Sequence, residues 1–133
     1  ICLAAVKQYG IALCYVKEQT PELCLEASKT KGILFYIKER TPEICLAAVK
    51  MDGYDLQYVK ERTPEICLEA VKQNGLALKY VSDKIREQIP EICMVAVKQN
   101  WRALEYVKNQ TLEICMVAVK QNKDAFRYVC PDY

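Results

Sequence analysis

Thr63-Pro64-Glu65-Ile66-Cys67-Leu68-Glu69-Ala70-Val71-Lys72-Gln73-Asn74-Gly75-Leu76-Ala77-Leu78-Lys79-Tyr80-Val81 is the cleanest copy of a phrase that occurs six times in the chain. Its first half predicts a helix. The Thr63 hydroxyl can cap the helix start, Pro64 takes the first helical position, where its missing N–H costs nothing, and Glu65 sits beside the positive end of the dipole. Gly75 is expected to stop the helix as a left-handed C′ residue. The second half, residues 77–81, places Ala, Leu, Tyr and Val on one side and predicts a second, shorter helix. A strand is the alternative, because periodicity alone does not type so short an apolar run.

Working outward, Cys2, Cys24, Cys45, Cys67, Cys93 and Cys115 mark the same place in successive copies, 22, 21, 22, 26 and 22 residues apart. A period of this size means stacked supersecondary units. The expected fold is therefore an all-α solenoid of about six helix-turn-helix repeats of ~22 residues, one array over residues 1–133, with a helix-plus-strand horseshoe as the alternative. Copy one opens mid-phrase at Ile1, as in an excerpt from a longer array. Copy two lacks one residue between Gly32 and Tyr36, and copy four carries four extra within residues 82–89, read as a helix longer by one turn. Trp101 and Lys123 replace the glycine in the last two copies, where Asn100 and Asn122 are expected to take the left-handed conformation instead.

Stepping ~100° per residue from the cysteine, Ile or Leu falls at ~−100°, Ala at ~−60°, Val at ~40° and Leu or Met at ~100°, an apolar arc of about 200°. A helix covered on three sides fits this pattern. The position two after the cysteine (Ala4, Glu26, Ala47, Glu69, Val95, Val117) falls at ~200°, read as the centre of the exposed face.

Composition narrows the function. Nineteen basic and seventeen acidic residues leave +2, too little for a broad field that gathers nucleic acid or anionic lipid. No apolar run approaches the ~18 residues of a membrane span. The chain has eight cysteines but no histidine, no CxxC pair and no clustering. Reduced thiols in a cytoplasm fit best, that of the host cell for a secreted effector. A nucleophile–base pair, a phosphate loop and a metal cluster are all missing from the sequence, so neither an enzyme nor a cofactor is expected.

The wording Pro-Glu-Ile-Cys-Leu-x-Ala-Val-Lys followed by Leu-x-Tyr-Val, seen over residues 42–59, 64–81 and, with Met after the cysteine, 90–107, resembles the bacterial and viral repeats catalogued as domain of unknown function four-one-one-six. That resemblance implies a helical repeat without an assigned activity, and it transfers no catalytic residue.

Each recurrent letter has a packing role to set against a chemical one. The cysteines lie mid-arc and read as small hydrophobes. Cys14 and Cys130 lie outside that ladder, and the tyrosines (Tyr15, Tyr36, Tyr58, Tyr80, Tyr106, Tyr128) read as rings packed between units. Lys50, Lys72, Lys98 and Lys120 form a row that could track phosphates, the basis of an alternative as a single-stranded nucleic-acid binder. The same lysines end helices whose first turns carry glutamate, which is what the dipole favours. The favoured function is a protein-protein interaction scaffold, its partner another protein or further repeats of the same chain. The candidate surface is Glu69, Val95, Trp101, Met116 and Val117, where the copies differ and turn apolar.

Overall fold

The computed structural model describes residues 2–130; Ile1 and the side chain of Cys14 lie outside the described part. Among the described residues the chain is all-helical, and the strand alternative is overturned. Longer α-helices alternate with 3-10 helices: α1 (Cys2–Gln8), η1 (Gly10–Tyr15), α2 (Pro21–Ala27), η2 (Leu34–Tyr36), α3 (Pro42–Met51), η3 (Gly53–Tyr58) and α4 (Pro64–Gln73). There follow η4 (Gly75–Tyr80), α5 (Asp83–Gln88), α6 (Ile92–Gln99), η5 (Trp101–Tyr106), α7 (Leu112–Gln121) and η6 (Lys123–Tyr128). Each copy's main α-helix packs on that of the copy before it, and α2, α4, α6 and α7 pack also on the preceding 3-10 helix.

The helix starts follow the sequence signals. The hydroxyls of Thr20, Thr41, Thr63 and Thr111 accept from the N–H of Leu23, Ile44, Ile66 and Ile114 at 3.2, 3.3, 3.3 and 3.2 Å. The helix ends do not follow them. Gly53 and Gly75 have ordinary φ values, and Gly32 alone among the described residues has positive φ, at 72°. In copies three and four the stop is instead the residue before the glycine, whereas α2 ends at Ala27, well before Gly32. Asp52 and Asn74 are extended (φ −147 and −146), and their side chains accept from Tyr54 and Leu76 N–H at 3.0 Å, opening a 3-10 helix. Asn100 and Asn122 do the same (φ −153 and −159) and are not left-handed. Because the side chain has already engaged the next turn, the backbone has no need of the left-handed state.

What the glycines supply is room. A Cβ on Gly75 would overlap the Ala96 carbonyl oxygen of α6, and one on Gly53 would overlap that of Ala70. Gln99 Oε1 accepts from Gly75 N–H at 2.6 Å, and Gln73 Oε1 from Gly53 N–H at 2.6 Å. Where Trp101 replaces the glycine, the next glutamine turns elsewhere: Gln121 Nε2 donates to Val97 and Lys98 carbonyls at 2.7 and 3.2 Å. Gly75→Ala is thus expected to cost about 2 kcal/mol by forcing η4 away from α6, measured as a drop in the urea midpoint. An unchanged midpoint would mean that this contact relaxes freely.

The four-residue insertion is likewise not a lengthened helix. Ser82 starts the separate helix α5 by accepting from Ile85 N–H at 3.4 Å, and Ile85 plugs into the core at 6% exposure. Pro90 then separates it from α6, because its missing N–H and ring obstruct a continuous helix. The core itself repeats one set: Ile44, Cys45, Ala48 and Val49 in α3 recur as Ile66, Cys67, Ala70 and Val71 in α4, joined by Leu56, Leu78 and Leu104 of the 3-10 helices.

Candidate functional site

The buried set spans about 140° of each α-helix, narrower than the expected arc. Leu46, Leu68 and Met94, one after the cysteine, are half-buried, and so are Glu69, Val95 and Val117, two after it. Position 200° is therefore a flank that adjoins a neighbouring helix, and the exposed centre lies between the lysines and the first-turn glutamates. The candidate partner residues divide accordingly. Val95 and Val117 share one column on the adjacent helices α6 and α7 and pack partly on the core. Glu69 pairs with Lys72 at 3.5 Å within α4, as Glu26 does with Lys29 at 3.1 Å. Trp101 is spent on packing, with its ring 6.1 Å from that of Tyr128 and the Arg102 guanidinium 5.4 Å away. Met116 is 49% exposed and lines an apolar hollow of about 290 Å³ with Leu112, Val119, Phe126 and Val129. Phe126 is 67% exposed there, whereas its counterparts Leu56, Leu78 and Leu104 are fully buried.

Lys50, Lys72, Lys98 and Lys120 are all exposed in the last turns of α3, α4, α6 and α7. Four of the six recurrent cysteines, Cys24, Cys45, Cys67 and Cys115, are buried free thiols, Cys93 is half-buried and Cys2, on the first helix with no copy before it among the described residues, is exposed; burial pushes the Cys67 thiol up to about 11. A thiol raised in this way is a poor nucleophile at neutral pH. Among the described residues no group of three or more His, Cys, Asp or Glu could hold a metal, and no helix is long and apolar enough to cross a membrane.

A further ladder lies along the 3-10 edge. The residue before each threonine cap is Gln19, Arg40, Arg62 or Gln110, and Arg86 in α5 takes the same part. Each donates to a tyrosine carbonyl of the following 3-10 helix: Gln19 to Tyr36 at 2.8 Å, Arg40 to Tyr58 at 2.7 Å, Arg62 to Tyr80 at 2.6 Å, Gln110 to Tyr128 at 2.8 Å, and Arg86 to Tyr106. Apart from Gln19, each also donates to carbonyls of its own copy, as Arg62 does to Val59 at 3.0 Å. These staples satisfy the open C-terminal carbonyls of two helices at once. The guanidiniums of Arg40 and Arg62 also sit 5.8 and 5.9 Å from the Tyr58 and Tyr80 rings, and the tyrosine ladder is half-buried packing from Tyr36 to Tyr128, whereas Tyr15 is 87% exposed and does not pack between units. The invariant Gln or Arg before Thr is the signal in the sequence that marks this ladder.

Between successive 3-10 helices the edge is notched. One hollow of about 660 Å³ is lined by Phe35, Tyr36, Arg40 and Lys60 among others; the next, of about 650 Å³, by Arg40, Gln57, Tyr58 and Arg62; a further one, of about 550 Å³, by Lys79, Arg86, Glu105 and Tyr106. The residue before each tyrosine is Cys14, Phe35, Gln57, Lys79, Glu105 or Arg127, a different type in every copy. From Phe35 to Arg127 all of them are exposed.

No curated protein and no solved structure matches the chain. One family model matches it twice, over residues 41–86 and 63–112. These matches together span residues 41–112, more than half of the sequence, and the chain belongs to that family, described as a domain of unknown function (DUF4116).

Proposed function

We propose that the chain is a non-catalytic scaffold for protein-protein contact, built as a solenoid of six repeats. Neighbour-to-neighbour packing of a repeated core supports the solenoid, since such arrays join each unit to the adjacent ones. The observation that carries the function is the apolar hollow at Met116 and Phe126. Its counterparts in the inner copies are closed by the next copy's helix, so this face has the shape and polarity to take another protein or a further repeat. Val95 and Val117 extend the candidate surface along α6 and α7.

Affinity capture with the wild-type chain, Met116→Glu and Val117→Glu tests the reading. Proteins retained by the wild type are expected to be lost with Met116→Glu and reduced with Val117→Glu. Val117→Glu should leave far-UV circular dichroism unchanged and stability within about 0.5 kcal/mol, because Glu26 and Glu69 already occupy its column with a lysine three residues on. If both variants retain the same proteins as the wild type, the hollow is not the contact. The row Lys50, Lys72, Lys98 and Lys120 keeps nucleic acid as a second reading, weakened by the pairing of Lys72 with Glu69.

A further inference from the structure

We propose that the 3-10 edge is a second recognition surface, a run of notches that takes an extended acidic peptide from a partner protein. The proposal rests on the scaffold reading and assigns it a ligand. Two independent features coincide on this edge. The column that differs in every copy, Phe35, Gln57, Lys79, Glu105 and Arg127, is exposed from end to end. Its members also line the hollows between successive 3-10 helices: Phe35 the first, Gln57 the second, Lys79 and Glu105 the third. A fixed frame of tyrosine ring and staple thus carries one changeable side chain in each of the first two notches and two in the third.

Charge indicates what fits. Lys38, Arg40, Lys60 and Arg62 line the first two hollows against Glu61 alone. The guanidiniums of Arg40 and Arg62 bond carbonyls, which satisfy their N–H groups but do not neutralise their charge. Beside them Phe35, 59% exposed, meets the Tyr36 and Tyr58 rings at 5.3 and 5.4 Å, giving an aromatic platform for an apolar side chain. The third hollow has mixed sign: Asp83 is already paired with Lys108 at 3.0 Å, and Glu105 stands free of any ion pair among the described residues. A uniformly charged strand such as RNA would meet that carboxylate. A peptide can change sign with the edge.

Spacing agrees. Packed helices repeat at ~8–10 Å and an extended peptide rises ~3.3 Å per residue, so every third peptide residue meets an equivalent notch. The occupant is therefore a segment with acidic residues at the first two notches, an apolar residue on Phe35 and a basic residue facing Glu105.

The probe is a phage-displayed library of random dodecapeptides panned on the 133-residue chain, with selected peptides resynthesised for fluorescence anisotropy. Selected peptides are expected to carry acidic residues three positions apart together with an apolar residue for the Phe35 platform. Phe35→Ser and Lys60→Glu, both at exposed positions and checked for unchanged circular dichroism, should each lower affinity at least about tenfold, and Met116→Glu should not. Peptides whose binding depends on Met116 and not on Phe35 or Lys60 would overturn the groove and leave the scaffold reading standing. A library that yields no binder would overturn the groove, while the scaffold reading is decided by the capture experiment with Met116→Glu. Binding of dodecauridylate that Phe35→Ser and Lys60→Glu abolish would assign the edge to nucleic acid and overturn the peptide.

Discussion

Arg62→Leu is expected to destabilise the protein by about 3 kcal/mol in urea denaturation, while Arg62→Gln costs less than about 1 kcal/mol. The guanidinium donates to the carbonyls of Val59, Tyr80 and Gln57 at 3.0, 2.6 and 3.3 Å. Charge-assisted hydrogen bonds of this kind are the stronger ones, and removing the donor leaves part-buried helix-end carbonyls without a partner. Leucine fills the space but donates nothing. Glutamine succeeds because the protein already uses it at the same place: Gln110 Nε2 reaches the carbonyls of Leu104, Val107 and Tyr128 at 3.3, 3.4 and 2.8 Å, at 3% exposure. Equal midpoints for the two variants would show that the charge, and not the carbonyl bonding, is what matters at this junction.

Asp55→Asn is expected to stabilise the protein by about 2 kcal/mol at pH 7 and to abolish a loss of stability between about pH 4 and 6. Asp55 is 2% exposed in η3, where the other copies carry Ala12, Ala77, Ala103 and Ala125. Burial raises its carboxyl from 3.8 to about 6, against the lowering effect of the Leu34 N–H, which donates to it at 3.4 Å; Asp52 adds to the rise and Arg40 opposes it. An acid whose pKa is higher in the folded state holds more protons there than in the unfolded chain. Stability is therefore greatest below 3.8, falls as pH rises, and levels off above about 6. At about 1.4 kcal/mol per pH unit this amounts to about 3 kcal/mol. An amide keeps the acceptor for Leu34 and removes the charge, and its unpartnered NH₂ returns about 1 kcal/mol of that gain. Urea midpoints of both proteins from pH 4 to 8 check the result: parallel curves would place the titration elsewhere.

Local signals carried the reading of the fold furthest. Thr-Pro-Glu marks three α-helix starts and Thr-Leu-Glu a fourth because a cap acts within three residues, and Ile, Cys, Ala and Val mark the buried side because one helix turn suffices to define it. Features that depend on the neighbouring copy escape such a reading. The role of Gly75 is set by the Ala96 carbonyl, and that of Arg62 by the Tyr80 carbonyl eighteen residues on. The one-residue deletion in copy two is visible in the sequence, but the hydrogen bond from the Leu34 N–H to Asp55, twenty-one residues on, is not. The candidate surface suffered likewise. Val117 is recognisable as an unusual apolar residue, yet a wheel of one isolated helix cannot tell an open face from a flank against the next helix. The 3-10 edge was missed because attention to recurrent letters passes over the column before the tyrosine, whose mark is that no letter recurs.

The staples also determine how far along the chain order must reach. No side-chain hydrogen bond among the described residues joins positions more than 26 apart, and those of the Arg and Gln ladder span 17 to 20 where they cross a junction. Each closes a loop of nearly the same length, so the entropy lost is nearly the same at every junction and does not grow with the number of copies. Low contact order of this kind favours quick assembly from any starting copy, and it lets a copy be added or removed by recombination without redesigning the rest.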